Sequence, residues 1–266
     1  MEPNRQNWDA EDYARNSSAQ LEWATELMTK LALKGNESLL DIGCGDGKIA
    51  AELARHLPRG LVVGIDASPA MIATSQARFP QEQHPNLSFR EMDAAHLELP
   101  KDFDIAFSTS VLHWVRDHRP MLQGVRRCLR TGGRILFQMG GRGNAEEMFS
   151  VAQDVIRSPS WRDAFVGFEP PWHFYGVEDY QTWLPQCGFR PVRIELVTKD
   201  MRHDGPDQLK GWMRTTWFPY TDRLPIERRQ TFGDEAVEKY LRVHPVDEQG
   251  RTHMKMVRLE VEAFVA

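Results

Sequence analysis

The residues best suited to carry chemistry are three aspartates, each of which lies at or just beyond the end of a predicted strand. The first, Asp41, opens the glycine-rich segment 41–47, DIGCGDG. A loop of this kind between a strand and a helix lets the backbone approach a ligand closely and directs helix N-terminal N–H groups toward it. The spacing differs from the G-x-G-x-x-G of dinucleotide-binding enzymes. A carboxylate ahead of the glycines repels a pyrophosphate and suits a ligand that bears an ammonium group.

The other two aspartates are placed to bind an adenosine. Asp66 ends the run 61–65 and can accept hydrogen bonds from both hydroxyls of a ribose. Asp93 follows the run 87–92, where its side chain can accept from an adenine amino group. The alternative for Asp93 is an N-cap of the next short helix, and the two roles are compatible because a cap uses only part of the acceptor capacity of a carboxylate.

The elements around these aspartates alternate between strands and helices. Strands are predicted at 38–42, 61–65, 87–92, 103–107 and 135–139. The segments between them include helical patterns at 49–57, from Ser68-Pro69 onward, and at 117–129. Two further strands are predicted at 192–196 and 257–265. The last is expected to be an antiparallel strand whose more exposed face carries Arg258, Glu260, Glu262 and Phe264. The pattern predicts an α/β fold with a doubly wound, seven-stranded and mostly parallel sheet.

The rest of the chain predicts a helical cap on this sheet. Residues 1–140 are expected to form an N-terminal helix and the cofactor-binding core, 141–188 an aromatic-rich cap insertion, and 189–266 the C-terminal strands with a helical cap insertion. The helices of this second insertion are expected to break at Pro219 and Pro225. We expect one structural domain overall.

Composition excludes several classes of function. The net charge of −5 argues against nucleic acid or an anionic membrane as a partner, and no run of about 18 apolar residues marks a transmembrane helix. The N-terminal segment does not resemble a signal peptide. The three cysteines, Cys44, Cys128 and Cys187, lack the spacing of a zinc site or a disulfide framework. We therefore expect a cytoplasmic protein without a metal centre or membrane insertion.

The segment 36–140 resembles class I methyltransferases that use S-adenosylmethionine (SAM). Segments 111–118 (VLHWVRDH), 129–133 (LRTGG), 137–139 (FQM), 212–215 (WMRT) and 218–220 (FPY) are similar to trans-aconitate methyltransferases, whereas Tyr13, Asn16, Ser17 and Gln20 resemble juvenile hormone acid methyltransferases. Both of these families esterify carboxylates. The resemblance implies SAM as the cofactor. The residues that it implies for SAM binding are Gly43, Cys44 and Gly45 as a backbone cradle, Asp41 at the methionine end, Asp66 and Ala67 at the ribose, Asp93 and Ala94 at the adenine, and Ser108 near the sulfonium.

A carboxylate acceptor requires no general base, because it is already a nucleophile at neutral pH. It requires a group that orients it, and the candidates are His113, Trp114, Gln20, Arg142 and Arg214. We expect Trp114 to line the methyl channel and Gln20 to hydrogen-bond the acceptor. For His113 a histidine on a helix surface is an equal alternative, and for Arg214 a structural salt bridge is the preferred interpretation.

Three other functions remain open at this stage. The acceptor of a methyltransferase can instead be a phenol, a quinone or an amine, and His113 is then the only convincing base. A nicotinamide-dependent oxidoreductase shares the sheet but lacks support from the loop spacing. A SAM-binding domain without catalytic activity would retain the aspartates as well. The identity of a small-molecule acceptor and the oligomeric state are not determined by the sequence.

Overall fold

A single seven-stranded sheet forms the centre of the computed structural model, which describes residues 18–266, with side chains from Leu21 onward. The strand order is β3-β2-β1-β4-β5-β7-β6, in which β1 to β5 are parallel and β7 runs antiparallel to both of its neighbours. The strands are β1 (Ser38–Ile42), β2 (Leu61–Asp66), β3 (Leu87–Glu91), β4 (Phe103–Thr109), β5 (Leu129–Gly140), β6 (Phe189–His203) and β7 (Thr252–Val265). The predicted fold class is confirmed.

Helices connect these strands and cover the sheet. They are α1 (Ser18–Thr29), α2 (Lys48–His56), α3 (Pro69–Arg78), α4 (His118–Cys128), α5 (Glu146–Ile156), α6 (Val177–Gln186), α7 (Pro206–Thr216), α8 (Phe218–Thr221) and α9 (Ile226–Val243). The start of α3 follows the sequence signal, because the Ser68 hydroxyl accepts from the Met71 amide and Pro69 occupies the first turn. The break between α7 and α9 begins at Trp217, and Pro219 lies in the first turn of the short α8.

The prediction that β7 has an exposed face is wrong. Arg258 and Glu260, expected on that face, are 3% and 0% exposed. The strand lies between β5 and β6, and the carboxylate of Glu260 accepts from Lys30 at 2.7 Å and from Gln138 at 2.9 Å. A charged residue is tolerated inside a sheet when cationic and amide donors satisfy it in this way.

Two hydrophobic clusters divide the predicted cap. The cap cluster joins residues of α5, α7, α8 and α9 with Trp161, Phe165, Met201, Met254 and Met256. By contrast, Tyr180 and Leu184 of α6 are buried in the cluster of the sheet, and Trp183 packs against that cluster. The last part of the segment 141–188 therefore packs on β6 and β7, because the apolar face of α6 lies over these strands. Among the helices of residues 18–266, none combines the length and apolar character that a membrane crossing requires.

Candidate functional site

The three aspartates of the sequence prediction lie at the same edge of the sheet. Asp41 is in β1, Asp66 ends β2, and Asp93 is two residues beyond the end of β3. The strands are parallel and adjacent, with Asp41 in register with Gly64 and Asp66 with Glu91. Their carboxyl ends therefore open on one crevice, which is where open α/β sheets bind ligands.

Three amides of the glycine-rich loop donate hydrogen bonds within the protein. The amides of Gly43 and Cys44 both donate to the Ile65 carbonyl, at 2.7 and 3.0 Å, and the Gly45 amide donates to Asp66 at 3.0 Å. A loop whose N–H groups are engaged in this way is a poor phosphate site. It remains suited to a cationic ligand.

Two glycines in this loop have separate structural reasons. Gly43 has φ +76°, and a Cβ there would lie 2.2 Å from the Val111 side chain. Gly45 has φ +53°, and a Cβ there would meet no atom of the described structure within 4 Å. Gly43 is thus required by packing between the β1 and β4 ends, whereas Gly45 leaves open space at the crevice.

Asp41 has the most unusual electrostatic environment in the crevice. The residue is 1% exposed, and its Oδ2 atom has no hydrogen-bond partner among the described residues. Burial, with a contribution from the nearby Asp66 carboxylate, raises the pKa of Asp41 to about 7. A buried acceptor without a donor is costly, and an ammonium group would satisfy it.

Asp66 is held in a fixed orientation by two backbone donors. Its Oδ2 accepts from the Gly45 amide at 3.0 Å and its Oδ1 from the Ser68 amide at 2.8 Å. Burial raises its pKa. Each carboxylate oxygen has a second lone pair, so that a vicinal diol is a suitable additional partner. Ala67, the predicted neighbour, is exposed.

Asp93 closes a short turn, so the alternative interpretation as the N-cap of a helix is wrong: no helix lies between β3 and β4. Its Oδ1 accepts from the Ala95 amide at 2.9 Å, and its Oδ2 lies 3.2 Å from Nδ1 of His96. The side chain is 42% exposed, and Ala94 beside it is partly buried. The adenine role of Asp93 and Ala94 stays a prediction, compatible with this turn.

Ser108 ties β4 to β1 at the crevice. The residue is fully buried, and its hydroxyl donates to the Ile42 carbonyl at 2.8 Å. Its proposed place beside a sulfonium stays a prediction. Two residues later, Ser110 adopts φ +63°, which is uncommon for a residue other than glycine and turns the chain away from β4.

The turn after Ser110 carries both predicted catalytic residues of the described region. Leu112–Trp114 form one turn of 3₁₀ helix, whose Leu112 carbonyl contacts Nε2 of His118 at 2.9 Å. Nδ1 of His118 lies 2.7 Å from the Tyr180 hydroxyl, and burial lowers the pKa of His118 to about 4. The neutral imidazole therefore connects the turn to α6 and fixes the positions of His113 and Trp114.

These two residues line a pocket next to the crevice. It has about 590 Å³ of space free of protein atoms, its open mouth included. Val111, against which Gly43 packs, links the crevice to the turn. The lining residues are Trp23, Ser110, His113, Trp114, Asn144, Ala145, Phe149, Trp172, Phe174, Met201, Trp212, Thr216, Trp217, Met256 and Arg258.

Polar groups enter the pocket at few points. Nη2 of Arg258 donates to the Ser110 hydroxyl at 2.9 Å, and the guanidinium lies 5.4 Å from the centre of the Trp23 ring. Nδ1 of His113 accepts from the Gly140 amide at 3.3 Å. Burial, with a smaller effect of the Arg258 charge, lowers the pKa of His113 well below its usual value. The neutral ring therefore carries its proton on Nε2.

Two of the predicted orienting residues are not in the pocket. Arg142 is exposed and forms ion pairs with Glu178 at 3.1 Å and Asp179 at 3.0 Å. Its position beyond β5 directs it toward α6, so that its predicted role in the acceptor site is wrong. Arg214 is exposed on α7. The side chain of Gln20 lies outside the described residues, as do Tyr13, Asn16 and Ser17.

Sequence reasoning missed Arg258, Ser110 and Asn144. Arg258 was interpreted as part of a solvated strand face, although a charged residue in a strand with neighbours on both sides is a signal for a buried polar role. Asn144 is 7% exposed and accepts from the Val257 amide at 3.2 Å. Arg258 and Asn144 do not belong to a local motif, and only the pairing of β5 with β7 brings them to the pocket.

Comparison with known proteins places these features in a family. The family described as "Methyltransferase domain" matches residues 40–137. An uncharacterized methyltransferase of Schizosaccharomyces pombe is 32% identical over 206 residues, 73% of this chain and 77% of the relative. A trans-aconitate 2-methyltransferase of Rhodopseudomonas palustris is 26% identical over 265 residues, 95% of this chain and 97% of the relative.

Solved structures support the fold. The YcgJ protein of Bacillus subtilis superimposes with a TM-score of 0.62 and 18% identity, covering 91% of this chain and 98% of that protein. At this level of identity the likeness concerns the arrangement of strands and helices.

Proposed function

Since the chain belongs to the class I SAM-dependent methyltransferases, we propose that it transfers the methyl group of SAM to the carboxylate of a small organic acid. Bound SAM supplies an activated methyl group, because its sulfonium becomes a neutral thioether when the methyl group moves to an acceptor oxygen. The tasks of the protein are to bind, orient and exclude water.

The crevice fits this cofactor on its own geometry. The orphaned Oδ2 of Asp41 suits the ammonium of the methionine part, and the lone pairs left on Asp66 suit the ribose hydroxyls. The open space at Gly45 leaves room for the ligand to approach the backbone. The engaged amides of Gly43 and Cys44 disfavour a dinucleotide pyrophosphate, which argues against the nicotinamide-dependent alternative.

The observation that carries the carboxylate proposal is the Arg258 guanidinium in the wall of the pocket. It is 3% exposed, lies among aromatic side chains and contacts the Ser110 hydroxyl. A guanidinium in such a place forms strong charge-assisted hydrogen bonds with a carboxylate and aligns it with two parallel donors. It orients the acceptor oxygens while they remain nucleophilic.

His113 supports a carboxylate over a phenol. A phenol must lose its proton to a base, but Nδ1 of His113 is occupied by the Gly140 amide and Nε2 carries the proton of the neutral ring. Nε2 is then a hydrogen-bond donor, which suits an oxyanion that already exists at neutral pH. The name of the trans-aconitate relative is in agreement with an acid acceptor.

Substitution of Arg258 tests the proposal. Loss of a buried charge-assisted pair costs about 2–5 kcal/mol, or about 30-fold to a few thousand-fold in kcat/KM for an acid. We expect this loss in Arg258→Met and a smaller one in Arg258→Lys, which keeps the charge but not the paired donors. The assay is transfer of a labelled methyl group to a panel of acids, phenols and amines, with calorimetric SAM affinity as the control for folding. Retained acid methylation in a folded Arg258→Met variant would refute the assignment.

The setting of the reaction is also part of the proposal. The three cysteines are buried thiols, which supports a reducing compartment such as the cytoplasm. The described pocket lining contains one arginine and no lysine, which supports a small-molecule acceptor rather than nucleic acid. We further propose that the segments 141–188 and 189–266 contribute a cap over the acceptor, because residues of both line the pocket.

A further inference from the structure

The chemistry of the pocket wall distinguishes between kinds of acid. Seven of its described lining residues are aromatic side chains other than histidine: Trp23, Trp114, Phe149, Trp172, Phe174, Trp212 and Trp217. Met201 and Met256 add two flexible thioethers. Most of the wall can therefore only make apolar or ring contacts with an acceptor.

Fixed positive charge is scarce in the same wall. Among the described lining residues, Arg258 is the only lysine or arginine. His113 does not supplement it, because burial keeps the imidazole neutral. A second and third carboxylate in this pocket would lose their hydration without a cation to replace it, which is costly for an ionised group.

The aromatic rings are arranged as flat and angled surfaces. Trp114 stacks on Phe218 with 14° between the ring planes, and Trp172 meets Trp114 edge-on with 5.2 Å between ring centres. Phe149 in turn contacts Trp172 and Trp217 at 5.5 and 4.6 Å. Walls of ring faces and ring edges favour a planar or unsaturated body, which can stack or make edge contacts.

From these features we infer that the acceptor is a monocarboxylic acid with a flat, apolar body, bound with its carboxylate at Arg258 and its body among the indole rings. A polycarboxylate is the disfavoured substrate. This inference rests on the proposed carboxylate methylation and specifies its substrate class. Oxygen attack forms an O–CH₃ bond as the S–CH₃ bond breaks, giving a methyl ester and S-adenosylhomocysteine.

Cinnamate and trans-aconitate provide a direct comparison, because both are unsaturated acids. Cinnamate has an apolar ring where trans-aconitate has additional carboxylates. We expect kcat/KM for cinnamate to exceed that for trans-aconitate at least tenfold in the unmodified protein. In parallel, quenching of tryptophan fluorescence by each acid, with S-adenosylhomocysteine present, is expected to give a tighter Kd for cinnamate.

A variant with an added cation sharpens the test. Thr216 lines the pocket at the end of α7, and its hydroxyl donates to the Trp212 carbonyl at 2.7 Å. Thr216→Arg is expected to shift the ratio of kcat/KM at least tenfold toward trans-aconitate. The matched control is Thr182→Arg, because Thr182 makes the same type of bond to Glu178 on the exposed surface of α6; it is expected to leave the ratio unchanged.

The outcomes separate this inference from the proposed function. Preference for trans-aconitate in the unmodified protein, in both turnover and binding, would overturn the substrate class while carboxylate methylation stands. Equal ratios in Thr216→Arg and Thr182→Arg would also overturn it. Methylation of phenols or amines with no acid methylated would overturn the proposed function, whereas the fluorescence titration would still report which acid the pocket prefers.

Discussion

Replacement of Asp41 by asparagine is expected to have opposite effects on the stability of the free protein and on its affinity for SAM. Burial raises the pKa of Asp41 from its ordinary 3.8 to about 7. At about 1.4 kcal/mol for each tenfold change in proton affinity, this rise corresponds to about 4 kcal/mol that the ionised carboxylate costs the folded protein. Asparagine has nearly the same shape and removes this cost.

The sign of the pH dependence follows from proton binding. Between about pH 4 and pH 7 the folded protein keeps a proton on Asp41 that the unfolded chain has released, so this group makes stability fall as pH rises through that interval. Over pH 5 to pH 8 the loss is about 2–3 kcal/mol. The Asp41→Asn variant lacks this contribution. Its free energy of unfolding, relative to that of the unmodified protein, should therefore increase by that amount from pH 5 to pH 8.

SAM binding is expected to change in the other direction. The ammonium group requires an ionised partner, and a hydrogen bond to a charged group contributes about 1.5–3 kcal/mol. Asp41→Asn should therefore bind SAM about 10- to 150-fold more weakly. The affinity of the unmodified protein should increase from pH 5 to pH 8, whereas the affinity of the variant should not.

Urea denaturation of the free proteins at several pH values gives the stability difference, and calorimetry gives the affinity for SAM. The difference between the two proteins is needed because His118 contributes a pH dependence of the opposite sign. Burial lowers the pKa of His118 to about 4, so that this group makes the protein less stable as pH falls. Asp46→Asn is the matched control, since Asp46 is paired with Arg78 at 2.6 Å and Lys48 at 3.2 Å and its loss should destabilise the protein. A difference between Asp41→Asn and the unmodified protein that does not vary with pH would refute the reasoning.

Three further outcomes are expected. Gly45→Ala and Gly132→Ala both place a side chain at positive φ in open space and should each lose about 1 kcal/mol of stability, but only Gly45→Ala should weaken SAM binding in calorimetry. At saturating SAM, kcat/KM for the acid should be flat between about pH 6 and pH 9 because the pKa of His113 is well below its usual value; a limb that rises near neutrality would indicate a base. Tyr180→Phe removes the hydroxyl that contacts His118 and should destabilise the protein by about 1–3 kcal/mol in urea with a few-fold loss of kcat, and unchanged kinetics would contradict the positioning role of the turn.

The cofactor crevice was predictable from short segments of the chain. The strand, the glycine-rich loop and Asp41 follow each other directly, and Asp66 ends the next strand. Local spacing specifies such a site because parallel strands joined by right-handed crossovers bring their carboxyl ends to one edge. Local spacing did not indicate that the amides of Gly43 and Cys44 are engaged within the protein, since their acceptor, the Ile65 carbonyl, belongs to another strand.

The acceptor pocket depended on contacts between distant segments. His113 and Trp114 were found from a local motif. Arg258, however, lies opposite Gly140 through the antiparallel pairing of β5 and β7. Arg142 forms ion pairs with acidic residues of α6 and does not reach the pocket. By itself the sequence determined the sheet, the cofactor crevice and the chemistry of methyl transfer, because these arise from patterns within a few residues. Only the tertiary structure decided which cation faces the acceptor, because a strand register determines which side chains meet, and that register is set by packing across the whole sheet.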